Sequence, residues 1–213
     1  AEELGTEIIS GDSMLVYRGF DIGSAKPTSE ERARVPHHLV DVLDADETFS
    51  VTEFVARVSE LVRDFDAAGR LPFVVGGTGL YVKALVEGYD FNVTQEHTCF
   101  RHAMAGIAAR RGSGRIHRFL AYCDPAAAER IHANNLRRVI RALEMHDEGV
   151  SYAEQASGFS HPHPFYDHLT FALTMDRARL YARIDDRVDI MMDEGLLDEV
   201  SRLVSAGAGD ALT

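Results

Sequence analysis

The amino-acid sequence predicts an α/β protein built on a parallel sheet, with a separate helical segment inserted into it. Over residues 7–88, short apolar runs alternate with amphipathic stretches, an order typical of strand–helix–strand units in parallel sheets. Residues 92–160 show no strand pattern and have the spacing of helices. We therefore predict an α/β core over 1–91 and 165–213, with a helical insertion over 92–164.

The first half of the chain supplies strands and helices in alternation. "AEELG" is typical of the end of a helix with Gly5 as its cap, and "EIIS" follows as a strand. Residues 37–43 predict a second strand. An S-x-x-E capping box at Ser50 begins an amphipathic helix that ends at Gly69. "LPFVV" (71–75) predicts a strand buried on both faces, and "GGTG" turns the chain into another helix.

The second half consists of the insertion and a return to the core. A Gly-Ser-Gly break at 112–114 separates two helical pieces, and Asp124 caps a longer helical run. "HLTFALTM" (168–175) predicts a strand that rejoins the sheet. Asp176 caps the helix that follows, and Gly195 separates that helix from the last one.

Composition and cysteine content exclude several classes of protein. Hydrophobic residues make up 46% of the chain and charged residues 26%, which is ordinary for a globular protein. We see neither an apolar run of membrane-spanning length nor a basic-then-apolar leader, so we expect no membrane partner. Cys99 and Cys123 are too few for a disulfide framework and too far apart for a metal knuckle. We expect a reduced protein of the cytoplasm.

The charge is distributed unevenly along the chain. The formal net charge is −12, which by itself argues against a nucleic-acid partner. The stretch 101–145 nevertheless contains nine arginines against three acids. This stretch predicts either a surface that faces a polyanion or a solvated helical face.

Three features are candidates for chemistry. Asp12 follows a predicted strand, where open α/β sheets bind ligands, although an aspartate in a turn is often only an N-cap or an Asx turn. The glycines of 76–79 begin a helix, so their amides can bind phosphate, or they serve close packing. Arg183 and Arg187 lie four apart on one helix and have the spacing to clamp a diphosphate, or they pair with neighbouring aspartates.

Five segments, taken in this order, carry a resemblance: "ISGDSMLVYRGFDIGSAKP", "PHHLVDV", "LPFVVGGTGLYVKAL", "IHANNLRRVIRALE" and "LTMDRARLYARIDDRVDIMMDEGLLDEV". Together they resemble the tRNA dimethylallyltransferases, also called tRNA isopentenyltransferases. The resemblance implies a P-loop nucleotide-kinase-like fold with a helical insertion. It also implies transfer of a dimethylallyl group from dimethylallyl diphosphate to N6 of the adenosine 3′-adjacent to the anticodon, with Mg²⁺. The expected partners are dimethylallyl diphosphate and the tRNA anticodon stem-loop, and we expect a monomer.

The resemblance also assigns roles to individual residues. Asp12 occupies the position of the general base that contacts N6, and Arg183 that of an arginine near the diphosphate. The adenosine must leave its stack to reach Asp12. The positions that match tRNA contacts are Asp12, Ser13, Met14, Leu15, Thr78, Arg137, Arg138, Val139, Ile140 and Arg141.

The chain departs from the family pattern in several places. Leu15 stands where members usually carry Gln or another residue, and Ser24 stands where they usually carry Thr. The family's phosphate loop and C-terminal basic helix are expected outside these 213 residues. We therefore expect no metal ligand within this chain, a Mg²⁺ site on the phosphate loop, and little activity from these residues alone.

Three other functions stay open at this point. An adenylate isopentenyltransferase shares the fold and the aspartate but acts on free AMP, ADP or ATP; the basic insertion argues for tRNA instead. A tRNA-binding module without turnover is compatible with a chain that lacks the phosphate loop. A small-molecule P-loop kinase would need lid arginines, which we do not find.

Overall fold

The computed structural model describes residues 1–89, 98–153, 155 and 165–208. The chain divides into two compact units: the core unit, Ala1–Glu87 with Pro164–Thr213, and the helical unit, Gly88–His163. The domain limits that we predicted fall at or beside residues outside the described ranges, so they stay a prediction. The predicted loop after residue 156 lies mostly outside them as well.

A three-stranded parallel sheet forms the centre of the core unit. Its strands are β1 (Ile8–Ser10), β2 (His37–His38) and β3 (Phe73–Val75), in the order β2-β1-β3. In the middle strand, Ile8 lies opposite His37 on one side and Phe73 on the other. The predicted α/β class with a parallel sheet is confirmed.

The helices follow the local signals of the sequence. In chain order they are α1 (Ser29–Arg34), α2 (Val51–Ala67), α3 (Gly79–Glu87), α4 (Thr98–Arg111), α5 (Ser113–Cys123), α6 (Pro125–Arg130), α7 (Leu136–Asp147), α8 (Arg177–Asp193) and α9 (Leu196–Ser205). Ser50, Asp124 and Asp176 each accept a backbone N–H at the start of a helix, so these three predicted caps are confirmed. Gly5 has a φ of 60° after a single 3₁₀ turn, as its predicted capping role requires.

Each unit has its own hydrophobic core. In the core unit, Ile9 of β1 packs with Phe54 and Val58 of α2, and all three side chains are fully buried. In the helical unit, Leu120 of α5 and Val139 of α7 are fully buried in a second cluster. Among the described residues, no helix has both the length and the apolar content that a membrane span requires.

Two predicted strands are wrong in part or in full. The second strand ends at His38 because Leu39 and Asp41 adopt φ values of 60° and 56°, which no β-strand accommodates. Residues 168–175 form no strand, and the side chain of Leu173 is 99% exposed. An alternating apolar pattern indicates which residues would share a face of a strand. A strand also requires hydrogen bonds to the backbone of a neighbouring strand. The structure pairs no described strand with residues 168–175.

Two further predictions need smaller corrections. β3 is half-buried and ends in exposed Val75, whereas we predicted burial on both faces; it is one of the two edge strands of the described sheet. The long helical run after Asp124 is two helices, because the chain leaves α6 at Ile131 and Asn135 caps α7.

Candidate active site

Two turns at the carboxyl edge of the sheet form the centre of the site. Because β1 and β3 are parallel neighbours, the residues that follow them emerge at the same edge. The N–H of Gly11 donates to the carbonyl of Val75 at 2.8 Å, and the N–H of Thr78 donates to the carbonyl of Gly11 at 3.2 Å. The turn after β1 and the turn after β3 are therefore fixed against each other.

Gly76 makes this close approach possible. A Cβ atom on Gly76 would lie 2.3 Å from the carbonyl carbon and oxygen of Gly11, which is closer than any side chain tolerates. The first glycine of "GGTG" therefore serves close packing, one of the two interpretations left open by the sequence. The other interpretation, phosphate binding by the amides at the start of α3, stays a prediction.

Asp12 is half-buried in the turn after β1. Its Oδ1 accepts the backbone N–H of Met14 at 2.7 Å and that of Leu15 at 3.3 Å, which is an Asx turn. Its Oδ2 takes part in no hydrogen bond with the described residues. The structural and chemical interpretations are thus compatible, because one oxygen fixes the turn and the other remains available to a ligand.

Thr78 joins the two turns through its side chain. The N–H of Ser13 donates to the Thr78 hydroxyl oxygen at 3.0 Å, and that hydroxyl lies 3.4 Å from the hydroxyl of Ser13. The structure therefore brings Asp12, Ser13 and Thr78 together, although they are far apart in sequence. These are three of the positions that the resemblance assigns to tRNA contact.

An aromatic layer lies beneath the turns. The ring of Tyr81 stacks on Phe54 with centroids 4.5 Å apart, and its hydroxyl donates to the carbonyl of Phe49 at 3.3 Å. Burial raises the pKa of Tyr81 to about 12, and the nearby charges, including that of Asp12, act in the same direction. Tyr81 is therefore a neutral phenol at physiological pH and supports the site by packing.

Lys26 is a buried ammonium that we did not single out from the sequence. Its side chain is 3% exposed, and Nζ donates to the carbonyl of Tyr17 and to the carboxylate of Asp21, both at 2.7 Å, and to the carboxylate of Asp41. Burial alone would raise the pKa of Asp41, but hydrogen bonds from Lys26 and Arg32 hold it below its usual value. The sequence feature that could have pointed to this residue is that the chain has only two lysines, of which Lys26 directly precedes a proline.

A cavity of about 780 Å³ lies in the core unit between the segment after Tyr17 and helix α8. Its cationic lining residues are Arg18, Lys26, Arg32 and Arg187. The first three are paired with carboxylates, and Arg187 has no ion pair among the described residues. The pairing with neighbouring aspartates that we considered for Arg187 is not observed.

Arg183 lies on α8, one turn before Arg187, and its side chain is exposed. It forms no hydrogen bond or ion pair with the described part of the chain. The structure places Arg183 in the same unit as Asp12 but shows no contact between them. Its role near a diphosphate stays a prediction.

The predicted tRNA-contacting stretch 137–141 forms the beginning of α7 in the helical unit. Val139 and Ile140 are 0% and 7% exposed, so their side chains pack in the helical core. Arg137 and Arg138 are exposed, whereas Arg141 lies 3.5 Å from the carboxylate of Glu144, a fully buried acid that also binds Arg101. The role of this stretch stays a prediction, and Arg137 and Arg138 are its members with exposed side chains.

A metal site is not built from these residues. The described ranges contain no group of three or more His, Cys, Asp or Glu side chains that would hold a metal ion. Two adjacent histidines, His37 and His38, hydrogen-bond with the carbonyl of Val35 and the carboxylate of Glu7, respectively.

A parallel sheet with polar turn residues at its carboxyl edge is the arrangement at which open α/β proteins place their ligand sites. The family model described as "IPP transferase" matches residues 15–213, and the chain belongs to this family.

Two similar proteins are named tRNA dimethylallyltransferases. The tRNA dimethylallyltransferase of Symbiobacterium thermophilum is 52% identical over 96% of this chain and 64% of its own length. That of Bacillus anthracis is 47% identical over 99% of this chain and 67% of its own length. This chain thus spans about two thirds of these relatives.

Solved structures agree with the fold. The full-length tRNA isopentenylpyrophosphate transferase of Bacillus halodurans matches 99% of this chain and 65% of its own, with 43% identity and a TM-score of 0.65. A eukaryotic dimethylallyltransferase captured acting on tRNA matches with 28% identity, a TM-score of 0.75 and coverage of 100% of this chain and 53% of its own.

Proposed function

We propose that the complete protein transfers the dimethylallyl group of dimethylallyl diphosphate to N6 of the adenosine 3′-adjacent to the anticodon of tRNA. The names of its relatives support this reaction class. The observation that carries the proposal is the geometry of Asp12: two backbone N–H groups fix Oδ1, and Oδ2 is left available. A carboxylate held in this way accepts a proton from a defined direction.

Asp12 would act as general base toward the exocyclic amine. The lone pair of N6 is delocalised into the adenine ring, so the amine is a weak nucleophile. As the bond from N6 to C1 of the donor forms, the C1–O bond breaks and its electron pair leaves with diphosphate. The proton of N6 passes to Oδ2 of Asp12, which prevents positive charge from accumulating on nitrogen. Help of this kind is worth about 10²–10⁴-fold in rate.

The leaving diphosphate requires cations. Arg183 is the residue we assign to it, because a guanidinium can bind a phosphate with two parallel hydrogen bonds. Mg²⁺, the proposed cofactor, supplies neutralisation of the diphosphate charge when bound. Mg²⁺ commonly takes only one or two protein carboxylates and completes its shell with substrate phosphates and waters, so the proposal does not require a cluster of metal ligands among the described residues.

The tRNA would bind through cationic and polar side chains of both units. In the helical unit, the exposed Arg137 and Arg138 at the start of α7 suit phosphate contacts. In the core unit, the turn of residues 12–15 and Thr78, which are joined by a hydrogen bond, would hold the flipped adenosine. Monomeric state and cytoplasmic location belong to the same proposal.

The test is a transfer assay with the protein as its gene encodes it. Labelled dimethylallyl diphosphate and Mg²⁺ are supplied with an unmodified tRNA that has adenosine 3′ of its anticodon. A matched tRNA with guanosine at that position and free AMP serve as controls. Label in the first tRNA alone is the expected result. Label in AMP alone would make the protein an adenylate isopentenyltransferase, and tRNA binding without label would make it a binding module.

A further inference from the structure

Glu199 is a buried carboxylate of α9 that the reaction described above does not use. It is 2% exposed and accepts the backbone N–H groups of Asp21 at 2.9 Å, Ile22 at 2.8 Å and Gly23 at 3.0 Å. No lysine or arginine of the described chain pairs with it. Three amide dipoles therefore stabilise its charge in place of a counter-ion.

The loop that Glu199 binds lies directly on α9. A Cβ atom on Gly23 would lie 3.3 Å from Cδ1 of Leu196 and 3.5 Å from Oε1 of Glu199. The first distance is tighter than ordinary contact, so a side chain at this position would require Leu196 to shift by a few tenths of an ångström. The glycine at residue 23 thus lets the loop lie close to α9.

The same loop positions Lys26. The N–H of Ala25 donates to the carbonyl of Ile22 and that of Lys26 to the carbonyl of Asp21, both at 2.9 Å. Ala25 has a φ of 51°, a left-handed conformation that a residue with a Cβ adopts only when its surroundings impose it. Two of the three residues whose amides Glu199 fixes therefore also bind the backbone of the following segment: the carbonyl of Asp21 accepts the N–H of Lys26, and that of Ile22 accepts the N–H of Ala25.

Lys26 in turn is linked to the Asp12 turn through Tyr17. Its Nζ donates to the carbonyl of Tyr17 at 2.7 Å, and the N–H of Tyr17 donates to the carbonyl of Met14 at 3.2 Å. The N–H of Met14 is one of the two donors that fix Oδ1 of Asp12. The carboxylate of Glu199 is therefore connected to that of Asp12 by a series of hydrogen bonds that passes in turn through Asp21, Lys26, Tyr17 and Met14.

We propose that Glu199 is a positioning residue for Asp12, acting through the 21–23 amides and Lys26. This inference rests on the proposed function in so far as Asp12 is the base. Spatial continuity alone does not establish coupling, so the proposal requires an effect of Glu199 at the Asp12 turn itself.

The test compares Glu199→Gln with Asp198→Asn, which removes the same charge from an exposed neighbour on the same helix. Gln keeps the shape but replaces one acceptor oxygen by an NH₂ group, so at least one amide loses its partner. Hydrogen–deuterium exchange is measured at the amides of 21–23 and of 14–15. We expect faster exchange at both places in Glu199→Gln and at neither in Asp198→Asn.

Transfer kinetics give the second readout. In Glu199→Gln, kcat should fall by about tenfold or more, a part of the ~10²–10⁴-fold contribution of a general base, with KM for both substrates nearly unchanged. Faster exchange confined to 21–23 with unchanged kcat would overturn the proposal and leave Glu199 a purely structural residue. If the wild type transfers nothing, the proposed function fails, and exchange at 14–15 still decides whether Glu199 positions the turn.

A second variant covers the case in which Glu199→Gln does not fold. Lys26→Gln breaks the series one step nearer to Asp12, so exchange at 14–15 should accelerate while the amides of 21–23 remain protected by Glu199. Unchanged exchange at 14–15 in this variant would show that the series does not reach the Asp12 turn.

Discussion

Helices α2 and α8 are both 17 residues long and both begin at a side-chain cap, yet they differ completely in burial. α2 buries Phe54, Val58, Val62 and Phe65 against the sheet, whereas α8 buries no residue. In α8, Leu180 is 41% exposed and Ile184 is 47% exposed, although their helical spacing is as regular as in α2. Cap and periodicity therefore determine that a helix forms, and the elements opposite it determine how much it buries.

The difference extends to the proposed chemistry. Asp12 lies on the packed side of the core unit, in the turn after β1, where the N–H groups of Met14 and Leu15 hold its side chain and Thr78 binds the neighbouring Ser13. Arg183 lies on the exposed surface of α8. A group on rigid, buried elements can be aimed accurately, whereas an exposed arginine acts mainly as a charge. Substitutions at Asp12 and at Arg183 should therefore have effects that differ in both size and kind.

The largest expected effect is that of Asp12→Asn on transfer. The amide oxygen of Asn can still accept the N–H groups of Met14 and Leu15, so the turn should persist, but the side chain can no longer take the proton of N6. We expect kcat to fall by about 10²–10⁴-fold. The measurement is single-turnover transfer to tRNA, with tRNA affinity determined in parallel and expected to change little. An equal loss of affinity would mean that Asp12 serves binding and structure, not proton transfer.

The next effect is on stability and compares the two helices directly. Phe54→Ala should lower the free energy of unfolding by about 3–5 kcal/mol, because it leaves a cavity in a fully buried position. Leu180→Ala on α8 should cost less than about 1 kcal/mol, because Leu180 is already partly solvated. Urea unfolding of both variants measures the contrast. Similar losses in the two variants would show that the face of α8 is covered in solution.

A smaller effect is expected from Arg183→Gln. The substitution should raise KM for dimethylallyl diphosphate by about tenfold or more, in line with the loss of a charge-assisted hydrogen bond, and leave the free energy of unfolding unchanged. The matched control is Arg179→Gln, an exposed arginine one turn earlier on the same helix. If both variants change KM equally, α8 contributes only general positive charge. If neither does, Arg183 is not near the diphosphate.

Binding of tRNA should respond to the helical unit. Arg138→Ala should weaken binding and lower the slope of log affinity against log salt by about 1, as expected for one lost phosphate contact. The control is Arg111→Ala at the end of α4, an exposed arginine of the same unit. A filter-binding series in increasing salt measures both. An unchanged slope in Arg138→Ala would remove the start of α7 from the interface.

Local signals in the sequence predicted much of this structure. The caps at Ser50, Asp124 and Asp176 depend on a few neighbouring residues, and so does the Asx turn of Asp12. Glu199 could not be predicted, because its partners lie 176–178 residues away and a glutamate on a short helix is usually solvated. The strand predicted at 168–175 failed for the same reason, since its pattern says nothing about which strand lies beside it.

The smallest expected effect concerns acid stability on the packed side. The hydrogen bonds of Lys26 and Arg32 hold the pKa of Asp41 below its ordinary value of 3.8. A carboxyl group whose folded-state pKa is lowered adds stability that is present above its unfolded pKa and is lost as the pH falls through the folded pKa. Unfolding free energies should therefore decline below about pH 4, and less steeply in Asp41→Asn than in the wild type.

The control for this titration is Asp46→Asn, an exposed carboxylate without an ion pair in the described part of the chain. As the pH falls, the free energy of unfolding of this variant should decline as steeply as that of the wild type. Urea unfolding between about pH 5 and pH 2.5 measures all three proteins across the range in which carboxyl groups titrate. An identical pH dependence in Asp41→Asn and the wild type would mean that the ion pairs of Lys26 and Arg32 exist equally in the unfolded chain. The segment that carries Lys26 would then owe its position to Glu199 and to packing on α9, not to its charge pairs.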